Sequence, residues 1–465
     1  MADFISVINP ATEQIIKEIP SDDRAAVSEK VARARAAQPG WAARPIEERI
    51  EHLNRFKDLL SEKVDPLAKT LTAETGKPIT QARNEILGTP ARIDFFTEHV
   101  ARCMAADSVY QEPTRVPAKT AQLEEIIACD PLGVVANISA WNYPYFVGSN
   151  VFVPALLTGN TVLYKPSEIS TMTGLAIADL FYQAGIPQDV FIPVVGAGQT
   201  GAALLEENID GVFFTGSYRT GKKIAIAAAP KLIKVQLELG GKDPAYVCAD
   251  VDAAKAAAGL ADGAFYNNGQ SCCAIERIYV HTDVYEPFLD AFLQAVQGFN
   301  LGDPTCADTY LGPLSRKPQL AVLTQQVADA VSKGATVHGG TQPQSPTGFY
   351  FSPTVLTDVT HGMSVMREET FGPVIGIQRV NNDEEAIALM NDTDYGLTAA
   401  VYSKDRERAV RILQQVNSGS AYWNCCDRVS PRLPWTGRGA SGMGSTLSKL
   451  GIHAFLQPRG WHLRR

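Results

Sequence analysis

Two hydrophobic patterns alternate along the 465-residue chain: short apolar runs closed by Gly or Pro, and longer stretches with apolar positions three or four apart. The first third is mainly of the second kind. After an extended start, Ser21 is placed to cap a helix whose apolar positions Ala25, Val27, Val31 and Ala34 run out near Pro39-Gly40. Helical spacing returns from Pro45 to Leu60 and from Ile79 to Val100, which predicts scaffold helices without chemistry. Thr120 to Ala128 is extended, and Pro131 interrupts it before a strand from Gly133 to Ile138. Apolar runs then recur at Val134–Ile138, Val162–Tyr164, Val190–Val195, Val212–Phe214 and Leu232–Leu237, each followed by a helical stretch. That succession predicts a parallel sheet of βαβ units, with ligands at the carboxyl ends of its strands. A second set, near Tyr246–Val247, Arg277–Val280, Val374–Ile377, Ala399–Tyr402 and Ser420–Trp423, predicts another α/β layer. Gly339 to Pro353, rich in Pro, Gly and Ser, reads as a surface loop.

Composition narrows the class. Hydrophobic residues make up 45% and charged residues 20%, the balance of a soluble globular protein long enough for two large domains. A net charge of −8 without a long Lys/Arg run argues against nucleic acid as a partner. The start, MADFISVINPATEQ, has no basic segment followed by an apolar core, and no uninterrupted apolar stretch reaches membrane-spanning length. The expectation is a cytoplasmic protein without membrane contact. Its eight cysteines are dispersed, so reduced thiols are the default. The adjacent pairs Cys272-Cys273 and Cys425-Cys426 lack CxxC spacing and nearby His, so no metal site is expected.

Chemistry concentrates in Phe265–Arg277, FYNNGQSCCAIER, where two thiols follow a Gly-Gln turn in an apolar region. A nucleophilic thiol needs a base or dipole to ionise it and a donor for the oxyanion formed on attacking a carbonyl. Upstream, LELGGKDP offers the carboxylate of Glu238 and SAWNYP the amide of Asn142. Each alone reads as a buried thiol, a salt-bridged acid or a turn residue. Together and in this order, from INPAT to the SGMG segment, they resemble the aldehyde dehydrogenase superfamily. The resemblance implies an α/β protein with a Rossmann-like parallel-sheet cofactor domain (1–112 and 131–240) and a second α/β catalytic domain (241–440). It also implies a small β oligomerisation element (113–130 and 441–465) reaching to another subunit of a homodimer or homotetramer.

On the cofactor side, GAGQTG at Gly196 matches GxGxxG, but about twenty residues later stands Thr215-Gly216 rather than an acid. A tight strand-to-helix turn fits Gly196, Gly198 and Gly201 better than a pyrophosphate clamp. The resemblance assigns Lys165 and Glu168 of KPSE to the adenosine ribose, and Gly216 and Ser217 of FTGSYRTG to the pyrophosphate at a helix start. Glu369 and Phe371 of REETFGPV fall to the nicotinamide ribose and ring, and Trp141 to the same cofactor site. A carboxylate at Glu168 would repel the 2′-phosphate of NADP, so NAD is the expected cofactor, with NADP less favoured.

The same resemblance makes Cys272, fourth in GQSC, the nucleophile on an aldehyde. Asn142 and the Cys272 N–H would hold the oxyanion, and Glu238 would activate water on the thioester. Coenzyme-A-acylating relatives typically lack that Glu, so the free acid is the expected product. Pocket-lining positions by resemblance are Tyr143, Val147 and Asn150, then Ser271 and Cys273, then Val429 and Trp435. Tyr143 and Trp435 match aromatic positions that hold the cation in betaine-aldehyde and amino-aldehyde enzymes. Asn150 replaces a further Trp, and Arg428 or Arg432 would oppose a cation or pair with a carboxylate, as in semialdehyde enzymes. An aromatic, apolar tunnel without a fixed charged anchor predicts uncharged aliphatic or aromatic aldehydes. Amino-aldehydes, betaine aldehyde and succinic semialdehyde are the alternatives, and an inert nucleotide-binding or structural relative is a remote one.

Overall fold

A computed structural model describes residues 3–111, 123–339 and 347–464. Among the described residues five helices, Arg24–Ala42, Ile46–Glu62, Val64–Thr75, Ile79–Gly88 and Pro90–Met104, precede the first large sheet. The first is capped by Asp23, whose carboxylate accepts the Ala26 N–H at 2.8 Å, and not by Ser21. It also runs past Pro39-Gly40, because buried Trp41 anchors its last turn by donating to Leu156 O at 3.0 Å. The stretch predicted from Ile79 to Val100 is two helices. Pro90, with no N–H to donate, opens the second of them.

The first large sheet has six strands in the order Gly442–Met443, Lys234–Glu238, Gly211–Thr215, Val134–Ile138, Thr161–Lys165, Phe191–Pro193. All neighbouring pairs are parallel except the first. The order of the five parallel strands reverses between Val134–Ile138 and Gly211–Thr215. A crevice opens beyond the carboxyl ends of strands at such a reversal, and the segments from Ser139 and from Gly216 leave the sheet there. Phe152, Phe181 and Phe191 pack edge-on or tilted beneath this sheet, with Phe56 stacked on Phe181 at 4.0 Å. Each fully buried ring is worth about 1.5–3 kcal/mol of transfer energy.

The second sheet runs Thr336–Gly339, Thr354–Thr357, Val374–Val380, Ile275–His281, Asp243–Val247, Thr398–Tyr402, Ser420–Trp423, antiparallel only at its first pair. A third sheet joins Asp107–Gln111, Leu123–Pro131 and the C-terminal strand Leu456–Arg464. Leu456 faces Pro131 and Arg464 faces Leu123, so Pro131 closes the middle strand and does not interrupt it. The start of the extension predicted from Thr120 lies outside the described residues, as does 340–346 of the predicted surface loop. No helix among the described residues is long and apolar enough to cross a membrane.

Candidate active site

The loop carrying Cys272 is set by an unusual turn. After the helix Ala253–Phe265, Asn267, Asn268 and Gly269 adopt φ of 54°, 58° and 67° in succession. Asn and Gly tolerate this left-handed region best. A side chain on Gly269 would strike the Gly372 carbonyl. The turn is fastened by Asn268, which donates to Gly312 O at 2.7 Å and accepts the Gly312 N–H at 3.0 Å. Gln270 accepts the Ser315 N–H at 3.0 Å. Cys272 then stands half-buried before the strand Ile275–His281. Cys273 is buried, and its thiol donates to Asp427 Oδ1 at 2.9 Å. The neighbouring Cys272 thiol, burial and the Asp427 carboxylate hold the Cys273 thiol well above its ordinary pKa. Burial in turn pushes Asp427 up to about 6.

Glu238 ends the strand Lys234–Glu238 and is 7% exposed. Its Oε1 accepts from the Thr446 hydroxyl and, at 3.2 Å, from the Gln236 amide. Burial outweighs both bonds and pushes the carboxyl up to about 7. The following glycines permit two close approaches. A Cβ on Gly240 would overlap the Glu369 carboxylate, and one on Gly241 would lie 2.7 Å from the Cys272 carbonyl. Glu369 accepts the Gly241 N–H at 3.2 Å and is pushed up to about 8 by burial and by the Glu276 charge. Glu276 fixes the Glu369 loop, accepting N–H bonds from Thr370 at 2.8 Å and Phe371 at 2.9 Å. The buried ammonium of Lys242 donates to Glu276 at 2.7 Å. Phe371, held at φ 47°, presents its ring edgewise to Trp141 at 5.6 Å.

Asn142 is buried between the strand Val134–Ile138 and the helix Pro144–Leu157, and its amide donates to Gln270 O at 3.1 Å. Lys77 holds the Asn142 carbonyl at 2.6 Å while pairing with buried Glu85. Glu85 also accepts the Tyr145 N–H at 2.9 Å, at the start of that helix.

Two cavities meet at Cys272, which lines both. The larger, of 1220 Å³, is bordered by Trp141, Asn142, Lys165, Glu168, Gly216, Ser217, Glu369 and Phe371. Ser217 caps the helix Tyr218–Ala228, so free N–H groups of its first turn border this space. A Cβ on Gly216 would come within 2.5 Å of the Phe214 ring. The Lys165 ammonium is buried, with only the Pro166 carbonyl at 3.1 Å as a partner among the described residues, while Glu168 is exposed. Room, helix start, buried cation and carboxylates fit a nicotinamide dinucleotide. Gly198 and Gly201 also border this cavity, so the GAGQTG turn faces the same space, with Gly196 at φ 155° packed against Thr200.

The smaller cavity, of 490 Å³, is bordered by Glu238, Tyr143, Val147, Asn150, Ser271, Cys273, Val429 and Trp435. Arg428 also borders it and Arg432 does not. The sequence reading missed Arg92, Glu85 and Asp427 on its wall. The findable signal was Arg92, a charge on the buried face that Phe96, Val100 and Cys103 mark along the helix Pro90–Met104.

A family model described as the aldehyde dehydrogenase family matches residues 2–460. The chain is 35% identical to the peroxisomal aminoaldehyde dehydrogenase 2 of Malus domestica, over 98% of this chain and 94% of that one. It is 36% identical to the NADP(+) succinate-semialdehyde dehydrogenase of Deinococcus radiodurans, over 97% and 93%. The lactaldehyde dehydrogenase structure from Escherichia coli superposes with a TM-score of 0.93 at 34% identity, covering 100% of this chain and 96% of that one.

Proposed function

The chain belongs to the aldehyde dehydrogenase family of aldehyde-oxidising oxidoreductases, and on that premise we propose that Cys272, Asn142 and Glu238 carry the reaction through to a free acid. The observation that carries this reading is the position of Cys272 where the two cavities meet, with Asn142 on the larger and Glu238 on the smaller.

In the first half, the Cys272 thiolate forms a bond to the aldehyde carbon and the carbonyl electron pair moves to oxygen. The Asn142 amide turns from Gln270 O to that oxyanion, together with the Cys272 N–H. Each such donor is worth about 3–4 kcal/mol in the transition state. A nicotinamide held beside Glu369, Phe371 and Trp141 would supply the hydride acceptor, so that the adduct on Cys272 is oxidised to a thioester. In the second half, Glu238 takes a proton from water as its oxygen attacks the thioester, and the thiolate departs. A carboxyl at about 7 suits this, since it is basic enough to take the proton and half-ionised near neutrality. Cys273, its thiol committed to Asp427, is a wall of the substrate site.

Lys165 and Glu168 are read as the ribose contacts, Gly216 and Ser217 as the pyrophosphate contacts, and Glu369, Phe371 and Trp141 as the nicotinamide side. NAD is the proposed cofactor, because an exposed carboxylate at Glu168 would repel a 2′-phosphate. The Deinococcus relative, named for NADP, is the reason to measure both. Residues 1–112 with 131–240 are proposed as the cofactor domain and 241–440 as the catalytic domain. Residues 113–130 with 441–465 are proposed as the oligomerisation element of a homodimer or homotetramer, since Ile127, Trp461 and Leu463 leave apolar side chains exposed there. The cytoplasm is the proposed compartment, in keeping with eight free cysteines. Purified protein given an aldehyde and NAD should form the acid without coenzyme A. A requirement for coenzyme A would refute the hydrolytic step.

A further inference from the structure

Among the described residues three arginines are more than nine-tenths buried: Arg49, Arg92 and Arg277. Two of them serve the fold. Arg49 donates to the carbonyls of Leu157, Ala42 and Arg44 at 2.9, 2.9 and 2.8 Å. Arg277 donates to those of Lys242, Leu389 and Met390 at 2.8, 3.0 and 3.0 Å. Arg92 has no such role. Its buried Nε has no partner, and among the described residues its guanidinium makes neither a hydrogen bond nor an ion pair. One face lies over the Phe146 ring at 3.8 Å, a contact that offsets part of the desolvation but leaves the N–H donors in the guanidinium plane unused.

Its position makes the cost greater. Arg92 stands in the first turn of the helix Pro90–Met104, the end that disfavours a cation. Burial pulls it down to about 10, which still leaves it charged at neutral pH. The carboxylates on the same cavity wall are otherwise engaged. Glu85 is taken by Lys77 and by the N–H of Tyr145, Asp427 by the Cys273 thiol, and Asp262 by the Tyr310 hydroxyl. A buried charge without a hydrogen-bond or ion-pair partner among the described residues points to a ligand contact, and Arg92 borders the cavity that Cys272 also lines.

We propose that Arg92 is the anchor for an anionic group on the substrate, so that the preferred substrates are aldehydes carrying a carboxylate at the far end of the chain. This rests on the aldehyde-oxidising reading above and replaces the uncharged aldehydes that an apolar tunnel would favour. A carboxylate fits better than a phosphate, because one free guanidinium over Phe146, in a cavity that Val147 and Trp435 also line, neutralises one charge and offers the planar fork that a carboxylate matches. Position 150, one of the aromatic positions in amino-aldehyde enzymes, is Asn here and borders the same cavity.

The test compares succinic and glutaric semialdehyde with their methyl esters, which keep the shape and remove the charge, using the intact enzyme with nicotinamide cofactor. The acids should exceed the esters at least tenfold in kcat/KM, mainly through KM. In Arg92→Gln that ratio should collapse toward one, and Arg92→Lys, with charge but no fork, should retain part of it. Should the Gln variant fail to fold, competitive inhibition of the unaltered enzyme by glutarate and by glutaramide decides, with glutarate expected to bind at least tenfold tighter. Equal turnover of acid and ester, a preference that survives Arg92→Gln, or equal inhibition by the two analogues would overturn the role of Arg92 alone. If no aldehyde of either kind were oxidised, the reaction proposed above would fall instead.

Discussion

Replacing Glu238 by Gln should weaken the catalyst and strengthen the fold, with separate readouts. Burial holds this carboxyl at about 7 against an ordinary value of 4.5. At about 1.36 kcal/mol per pKa unit, ionising it in place costs on the order of 3 kcal/mol. The folded state binds the proton more tightly than the unfolded chain. Stability is therefore lost as pH rises from about 4.5, and the full cost is present above about 7. Gln is neutral at every pH and keeps an acceptor for the Thr446 hydroxyl. With a melting entropy of about 2.1 cal/mol/K per residue, 3 kcal/mol over this length corresponds to roughly 3 °C. Thermal unfolding should show Glu238→Gln melting roughly 3 °C above the unaltered protein at pH 8.5, and level with it at pH 4.5. In stopped flow the same variant should keep a burst of NADH while steady-state turnover falls about 10²–10⁴-fold. Melting temperatures that match at both pH values, or undiminished turnover, would refute the reasoning.

Three further outcomes follow from the same geometry. Cys272→Ala should abolish oxidation while Cys273→Ala retains much of it, since the second thiol is protonated and bonded to Asp427; steady-state rates of both variants decide. With Glu168 intact, kcat/KM should favour NAD over NADP, and Glu168→Gln should narrow the gap. Gly240→Ala drives a methyl group into the Glu369 carboxylate, so the KM for the cofactor should rise while the melting temperature changes little.

The sequence was most legible where periodicity and turn chemistry act alone. Each predicted strand from Val134 onward overlaps an observed one, because short apolar runs between Gly and Pro have few other ways to bury themselves. The Asn267-Asn268-Gly269 turn and the Gly240-Gly241 pair were visible as residues, but the contacts they permit needed the fold. Helix ends were less legible. Asp23 caps where Ser21 also could, and Trp41 carries a helix through Pro39 by a bond to Leu156, a residue far along the chain. Arg92 was hidden for the opposite reason. Its spacing from Phe96, Val100 and Cys103 marks a charge on a buried helix face, but the cavity that Phe146, Trp435 and Cys273 line is what distinguishes an idle buried charge from one that serves the fold.

The central claim is that the aldehyde carbon becomes bonded to Cys272 and waits there for Glu238. Glu238→Gln, incubated with NAD and an aldehyde, quenched in acid and digested, should yield by mass spectrometry an acyl group on Cys272 in the peptide containing Cys272-Cys273, at close to one per chain. The unaltered enzyme under the same conditions should carry far less. An acyl group on Cys273, or a stoichiometric NADH burst with no adduct on either thiol, would contradict the account.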